Sequence, residues 1–181
     1  MCGINGIFNF NKVNIGDENA LISLMNDTIS HRGPDDSGIS EINQRLFFGH
    51  RRLSIIDLSK AGHQPMRNDA GYEIVFNGEI YNYAELKKYL PDYKFKSDSD
   101  TEVILGLYET FGENCLQYLN GMFAFAIWDP KKEQLFLARD RSGKKPLYYS
   151  FQNGVFAFSS EVKALLKLPF IKTELDEEAF Y

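Results

Sequence analysis

Residues 123–128, Phe-Ala-Phe-Ala-Ile-Trp, decide the fold class of this chain. Successive side chains of a β-strand point to opposite faces, so this run is apolar on both faces and suits a strand covered on both sides. The strand is predicted over 122–129. Short aromatic-rich runs follow at 134–139, 147–151 and 155–159, separated by turn signals such as Asn-Gly, and are typical of an antiparallel meander.

Upstream of this meander, the pattern predicts strands at 3–10, 46–56 and 72–76. A helix capped by Asp17 carries apolar residues at helical spacing and ends before a Gly-Pro pair; these residues are Leu21, Leu24, Met25 and Ile29. Asn82 and Glu85 suggest a capping box for a second helix, and a third is predicted over 100–111. Helices between two sets of antiparallel strands predict an α+β layered domain, in which each sheet packs on the other sheet and on a helix layer.

Composition excludes several functional classes. The 181 residues suit one domain, and 20 basic against 25 acidic residues give a net charge of -5 with no basic cluster, so we expect no nucleic-acid partner. The longest apolar run, 122–128, is far shorter than the roughly 20 residues of a membrane span. No signal peptide is recognisable, and two cysteines suit free thiols in the cytoplasm. An acidic helix start at 175–181 predicts that the helix continues in a longer protein.

Cys2 is the first candidate catalytic residue. Removal of Met1 would leave its thiol beside a free α-amine, whose pKa of about 7.7–8.0 suits a base for a thiol of pKa about 8.5. On position alone, an incidental cysteine is the alternative.

Asn77-Gly78 resembles a hairpin turn, but the next segment is too short to return as a strand. We therefore predict a strand-to-helix loop in which the Asn amide and the Gly N–H face an oxyanion.

Charged residues near these positions are candidate substrate ligands. Arg51 and Arg52 point to opposite faces of one strand, so one is a surface residue and the other could offer a fork of donors to a substrate carboxylate. Asp100 suits either a helix N-cap or a ligand for an ammonium group. The three histidines lack metal-ligand spacing, so no metal is expected. Lys144-Lys145 is interpreted as a turn, because the glycine pattern of a phosphate loop is absent.

Seven stretches, in order along nearly the whole chain, resemble the glutaminase domain of class II glutamine amidotransferases, specifically the asparagine synthetase type. They are MCGI at 1–4, HRGPDDSG at 31–38, RLSIIDLS at 52–59, NGEIYNY at 77–83, SDTEVIL at 99–105, GMFAFAIWD at 121–129 and RDRSGKKPLYY at 139–149. The resemblance implies that residues 1–181 form one glutaminase domain. It also implies the N-terminal nucleophile hydrolase fold, a four-layer αββα sandwich.

The resemblance further implies a role for each matching residue. Cys2 would be the nucleophile with its own α-amine as base, and Asn77 and Gly78 would form the oxyanion hole. Arg52 would hold the α-carboxylate of glutamine, and Glu79 and Asp100 its α-ammonium. Backbone groups of one segment would line the site, namely Leu53, Ser54, Ile55 and Ile56.

The implied reaction is hydrolysis of glutamine to glutamate and ammonia through a Cys2 thioester. In the family, ammonia passes to a C-terminal synthetase domain that uses ATP and magnesium, a domain that we expect to be absent from this chain. We expect no cofactor in the glutaminase domain itself. Two alternatives stay open: a catalytically silent docking or assembly domain of the same fold, and a peptidase with an N-terminal nucleophile. The amide acceptor and the oligomeric state cannot be deduced from the sequence.

Overall fold

The computed structural model describes residues 1–54 and 59–173. Within those ranges the strands are β1 (Gly3–Asn9), β2 (Asp36–Ile42), β3 (Leu46–Arg52), β4 (Met66–Arg67), β5 (Glu73–Ile80), β6 (Gly121–Asp129), β7 (Gln134–Arg139), β8 (Tyr148–Gln152) and β9 (Val155–Ser159). The α-helices are α1 (Glu18–Thr28), α2 (Tyr83–Leu86), α3 (Asp100–Phe111) and α4 (Val162–Leu165), with short 3-10 turns between elements.

Two antiparallel sheets form the centre of the domain. The first has the strand order β2-β3-β1-β9-β8 and the second the order β4-β5-β6-β7. One apolar cluster fills the space between the sheets, a second lies between the first sheet and helices α1 and α4, and a third lies between the second sheet and α3. These three interfaces separate four layers, which confirms the αββα sandwich.

Strand β6 shows why the apolar run 123–128 specifies a covered strand. Phe123, Phe125 and Ile127 pack in the cluster beneath α3, whereas the intervening Ala124, Ala126 and Trp128 pack between the sheets. Each fully buried Phe or Ile contributes about 1.5–3 kcal/mol to folding, so both faces of this strand stabilise the sandwich. The prediction of a strand covered on both sides is confirmed.

The helix predictions were partly correct. Asp17 caps α1, its side chain accepting a hydrogen bond from the N–H of Ala20. Leu24, however, is 43% exposed and does not belong to the buried face. The capping box at Asn82 was wrong: this side chain makes no cap bond and instead donates to the carbonyl of Tyr118 and accepts from the N–H of Asn120. Ser99, not Asp100, caps α3.

The strand predictions differ from the structure at their ends. Strand β3 ends at Arg52, before the predicted end at Ile56. The predicted strand residues Ile55 and Ile56 lie outside the described residues, and so does the helix start predicted at 175–181. Strand β2 was missed because Asp and Gly favour strands poorly and this edge strand is half exposed. Strand β5 continues four residues beyond the predicted 72–76. No helix in the described part of the chain is long and apolar enough to cross a membrane.

Candidate active site

A pocket of about 190 Å³ opens at one end of the sandwich. Strand β1 starts there, strand β3 ends there, and the last residues of β5 line it. It collects residues that are far apart in the sequence. Those predicted as site residues are Cys2, Arg52, Leu53, Asn77, Gly78, Glu79 and Asp100. The geometry therefore brings together seven of the predicted positions, although their roles stay predictions.

The thiol of Cys2 is held by one backbone segment. The N–H of Leu53 lies 3.4 Å from Sγ, and Sγ lies 3.6 Å from the carbonyl oxygen of Leu53. Burial raises the pKa of the Cys2 thiol above its ordinary value, and the hydrogen bond from Leu53 offsets part of that rise. A thiol with a raised pKa needs a base to become a nucleophile, and the N-terminal amine of a chain starting at Cys2 would supply one.

Arg32 fixes the backbone of Cys2. Its Nε donates to the carbonyl oxygen of Cys2 at 2.9 Å, and its Nη1 donates to Glu161 at 3.0 Å. Cys2 precedes β1, whose ladder with β3 starts at Gly3. The guanidinium of Arg32 therefore holds a carbonyl that lies outside the sheet ladder, and it restrains the residue that carries the thiol.

Asn77 and Gly78 lie inside β5, which corrects the prediction of a strand-to-helix loop. They pair with Ala124 and Phe123 of β6, so the neighbouring strand is β6 rather than a returning hairpin. The prediction failed because the polar pair Asn77-Gly78 followed by Glu79 breaks the apolar pattern that marks a strand. At Gly78, a Cβ atom would lie 2.4 Å from the carbonyl oxygen of Met122, so the close approach of β6 requires glycine.

Among the described residues, no strand pairs with the edge of β5 that faces away from β6 beyond Ile74, because β4 contains only two residues. We call this edge, over residues 76–80, the open edge. Side chains bond two of its N–H groups: Phe76 donates to Gln64 at 2.7 Å, and Ile80 donates to Asp100 at 2.9 Å. Strand N–H groups alternate between edges, so the N–H of Gly78 also points to the open edge, between these two.

The side chain of Asn77 is buried, and neither its Oδ1 nor its Nδ2 has a hydrogen-bond partner among the described residues. Buried amides are rarely left without partners, because each unmade hydrogen bond costs about 1–3 kcal/mol. An amide donor and a backbone N–H thus lie side by side in a pocket that also holds a thiol. Such a pair of donors is suited to stabilise an oxyanion.

Charged groups of both signs line the same pocket. Arg52 is 8% exposed, and its Nη1 donates to the carbonyl of Ser59 at 3.0 Å. A Cβ at Gly62 would collide with Nη2 of Arg52, so the absence of a side chain at Gly62 makes room for the guanidinium. Arg51 points to the other face and pairs with Asp27 at the surface, as the strand alternation predicted.

On the acidic side, Glu79 and Asp100 line the pocket together. Asp100 is buried, and this burial raises the pKa of its carboxyl to about 6. The N–H groups of Ile80 and Thr101 lower that pKa in part, because they favour the charged form. The charge of Asp100 is thus poorly compensated and would be stabilised by a bound cation.

The pocket-lining segment predicted after Arg52 divides in the structure. Leu53 reaches the thiol, but Ser54 does not line the pocket: its N–H donates to Asp35 at 2.8 Å. Ile55 and Ile56 lie outside the described residues.

Lys145 was interpreted only as part of a turn. Asp140 does hold that turn through the N–H groups of Lys144 and Lys145, yet Lys145 is buried and lines the pocket.

Sequence reasoning also missed Gln64 and Thr101, which line the pocket. The amide of Gln64 donates to Oγ1 of Thr101 at 3.1 Å, and both residues are buried. Gln64 lies in none of the seven family stretches, and Thr101 lies in the stretch at 99–105, but only Asp100 of that stretch was assigned a role. Within residues 1–54 and 59–173, no group of three His, Cys, Asp or Glu side chains is arranged to hold a metal ion.

Comparison with known proteins identifies the family to which this pocket belongs. A family model described as a glutamine amidotransferase domain matches residues 1–181. The chain belongs to this family. Among curated relatives, it is 44% identical over 97% of its length to asparagine synthetase [glutamine-hydrolyzing] 3 of Bacillus subtilis. It is 47% identical over 92% of its length to a putative asparagine synthetase of Methanocaldococcus jannaschii.

The amidotransferase domain described here is shorter than these relatives. It covers 29% of the Bacillus protein and 35% of the Methanocaldococcus protein. Among solved structures, the glutamine phosphoribosylpyrophosphate amidotransferase of B. subtilis matches with a TM-score of 0.74. That match covers 92% of this chain and 43% of the other at 22% identity, so it shows a shared fold. The predicted family and fold are both confirmed.

Proposed function

We propose that this domain hydrolyses glutamine to glutamate and ammonia through a thioester on Cys2. The observation that carries the proposal is the unpartnered amide of Asn77 beside the N–H of Gly78, in the pocket that holds the Cys2 thiol. Family membership supports the same reaction. The reaction needs only groups of this chain, glutamine and water.

The reaction begins once Met1 has been removed. The α-amine of Cys2 takes the thiol proton, and the thiolate attacks the side-chain carbonyl carbon of glutamine. The resulting oxyanion accepts hydrogen bonds from Asn77 Nδ2 and from the N–H of Gly78. The amine returns the proton to the leaving nitrogen, ammonia departs, and a γ-glutamyl thioester remains. Water then attacks the thioester carbonyl carbon while the neutral amine takes a proton from it, and the amine passes that proton to the sulfur as the C–S bond breaks and glutamate leaves.

Recognition of glutamine rests on the charges around the pocket. The guanidinium of Arg52 provides donors for the α-carboxylate, and Glu79 and Asp100 provide carboxylates for the α-ammonium. Binding both ends of the amino acid would leave its side-chain amide at the thiol. A glutamine within a peptide lacks one of these charges at a chain terminus and both at an internal position, so this arrangement favours a free amino acid over a peptidase substrate.

The relatives' names suggest a role for the ammonia. We propose that, in a longer protein, a synthetase domain using ATP and magnesium transfers it to a carboxylate, as in asparagine synthesis or a related amidation. ATP would act in that domain, and we expect it to leave the glutaminase rate of this chain unchanged. We propose a cytoplasmic location, because both thiols are free.

A glutaminase assay combined with intact-mass measurement tests the proposal. We expect a sample lacking Met1 to release glutamate and ammonia in equal amounts, and a sample retaining Met1 to be inactive because its Cys2 amine is blocked. Asparagine and a glutamine-containing tripeptide serve as control substrates and should react far more slowly. A Met1-free sample without turnover would overturn the proposal and favour the alternative of a silent docking domain.

A further inference from the structure

Two buried side chains from different layers hold Phe76, the residue immediately before Asn77. The N–H of Phe76 donates to Oε1 of Gln64 at 2.7 Å, and the carbonyl oxygen of Phe76 lies 3.0 Å from Nε2 of His50. Gln64 precedes β4, and His50 belongs to β3 in the other sheet. Gln64 is 5% exposed and His50 is fully buried. Phe76 therefore has both of its backbone polar groups bonded by side chains.

The chemical state of His50 suits this contact. Burial lowers the pKa of His50 to about 4, so the ring is neutral near pH 7. A carbonyl oxygen can only accept, so Nε2 carries the hydrogen and donates to Phe76. The other ring nitrogen, Nδ1, has no partner among the described residues. The bond to Phe76 is thus the hydrogen bond that orients this imidazole.

Gln64 connects the same strand to the helix that carries Asp100. Its Nε2 donates to Oγ1 of Thr101 at 3.1 Å, and Thr101 follows Asp100 at the start of α3. One amide therefore links the strand of the oxyanion donors to the helix start that provides the acidic end of the pocket. Among the described residues β4 pairs with β5 only at Glu73 and Ile74, so β4 offers Phe76 no main-chain partner.

We propose that Gln64 and His50 are positioning residues that hold the backbone of Phe76, and through it align the Asn77 amide and the Gly78 N–H with the Cys2 thiol. This inference rests on the proposed function. Neither residue needs to touch glutamine for this role. A displacement of about 1 Å in a reacting group can cost about 100-fold in rate, so a loosened Phe76 would be visible in kcat.

The chain contains a matched control in Asn68. Its Oδ1 accepts from the N–H of Tyr72 at 3.0 Å, and its Nδ2 donates to Glu109 of α3 at 2.7 Å. Asn68 thus makes the same pair of bonds as Gln64, from an amide to a backbone N–H near β5 and to a side chain of α3. It lies at the other end of β5 and does not line the pocket.

The test compares glutaminase kinetics and thermal unfolding of Met1-free variants. We expect Gln64→Met to lower kcat about 10- to 100-fold with KM changed less than about threefold, because the acceptor for Phe76 is lost while the side chain keeps its length. Gln64→Glu retains that acceptor and should recover most of the lost kcat. Asn68→Leu should lower the unfolding temperature and leave kcat within about twofold of the wild type.

Two further variants extend the test to each side of Phe76. We expect His50→Phe to lower kcat with little change in KM, since it removes the donor to the Phe76 carbonyl. Thr101→Val removes only the partner of Gln64 Nε2 and should give a smaller loss of kcat, which Thr101→Ser restores. Thr101→Val keeps the test decisive if a Gln64 variant does not fold.

The outcomes separate this inference from the proposed function. The positioning role alone would be overturned if the wild type turned over normally and Gln64→Met had an unchanged kcat. If Gln64→Met does not fold, an unchanged kcat in Thr101→Val would have the same consequence. Equal loss of kcat in Gln64→Met and Asn68→Leu would overturn it too, because loss of stability would then explain both. A Met1-free wild-type chain without glutaminase activity would overturn the proposed function and this inference together.

Discussion

The two halves of β5 differ in the groups that form hydrogen bonds with the edge facing away from β6. At Glu73 and Ile74 the partner is the main chain of β4, as in an ordinary sheet. Along the open edge the partners are side chains, Gln64 at Phe76 and Asp100 at Ile80, and the N–H of Gly78 lies between them. A strand that stops after two residues thereby converts a sheet edge into a row of fixed donors. The first half of β5 stabilises the domain, and the second half forms the pocket.

Asn77→Ala and Val75→Ala test this division most strongly. Both side chains are buried on the same face of β5, but Val75 packs between the sheets in the first half. We expect Asn77→Ala to lower kcat about 100- to 1,000-fold, because one oxyanion donor is lost. Val75→Ala should lower the free energy of unfolding by about 2 kcal/mol and leave kcat nearly unchanged. If Asn77→Ala raised only KM, Asn77 would be a ground-state binding residue.

Arg52→Lys and Arg51→Lys compare two adjacent arginines on opposite faces of β3. Only Arg52 lines the pocket, whereas Arg51 pairs with Asp27 at the surface. We expect Arg52→Lys to raise KM for glutamine about 10- to 100-fold, because hydrogen bonds to charged groups contribute about 1.5–3 kcal/mol and lysine lacks the planar fork. Arg51→Lys should leave KM unchanged. Steady-state kinetics at pH 8 would measure both values, and equal KM values would exclude a carboxylate-binding role for Arg52.

A smaller change in KM is expected from the ionisation of Asp100, at the acidic end of the open edge. Burial raises the pKa of Asp100 to about 6, so the carboxylate predominates at pH 7 and the neutral acid at pH 5. The carboxylate form attracts the glutamine ammonium, so KM should rise roughly tenfold as the pH falls from 7 to 5. Asp100→Asn should have a higher KM that changes little over this range. A wild-type KM that is flat across pH 6 would show that Asp100 does not bind the ammonium in its charged form.

The layered fold followed from local sequence patterns, but parts of the site did not. Strands such as β6 are marked by apolar residues on both faces, and helix α1 is marked by its Asp17 cap, so their existence could be predicted. The open edge could not, because its partners Gln64 and Asp100 come from other elements and depend on where β4 stops. Asn77 was identified from its residue type and from the family resemblance, yet it was assigned to a loop.

The two cysteines allow a direct test of whether Cys2 is the nucleophile. Cys2 lines the pocket and lies half-buried, whereas Cys115 is fully buried in the cluster beneath α3, where burial raises its pKa to about 12. A glutamine analogue with an electrophilic diazoketone in place of its side-chain amide should react with a thiol beside an oxyanion hole. Incubation of the Met1-free chain with this analogue, followed by intact and peptide mass spectrometry, would locate the reaction.

We expect one covalent adduct per chain at Cys2, none at Cys115, protection by excess glutamine and parallel loss of glutaminase activity. Asn77→Ala should slow the labelling, whereas Cys115→Ala should leave it unchanged. Glutaminase activity that survives complete labelling of Cys2, or that persists in Cys2→Ala, would contradict the claim that Cys2 is the nucleophile of this pocket.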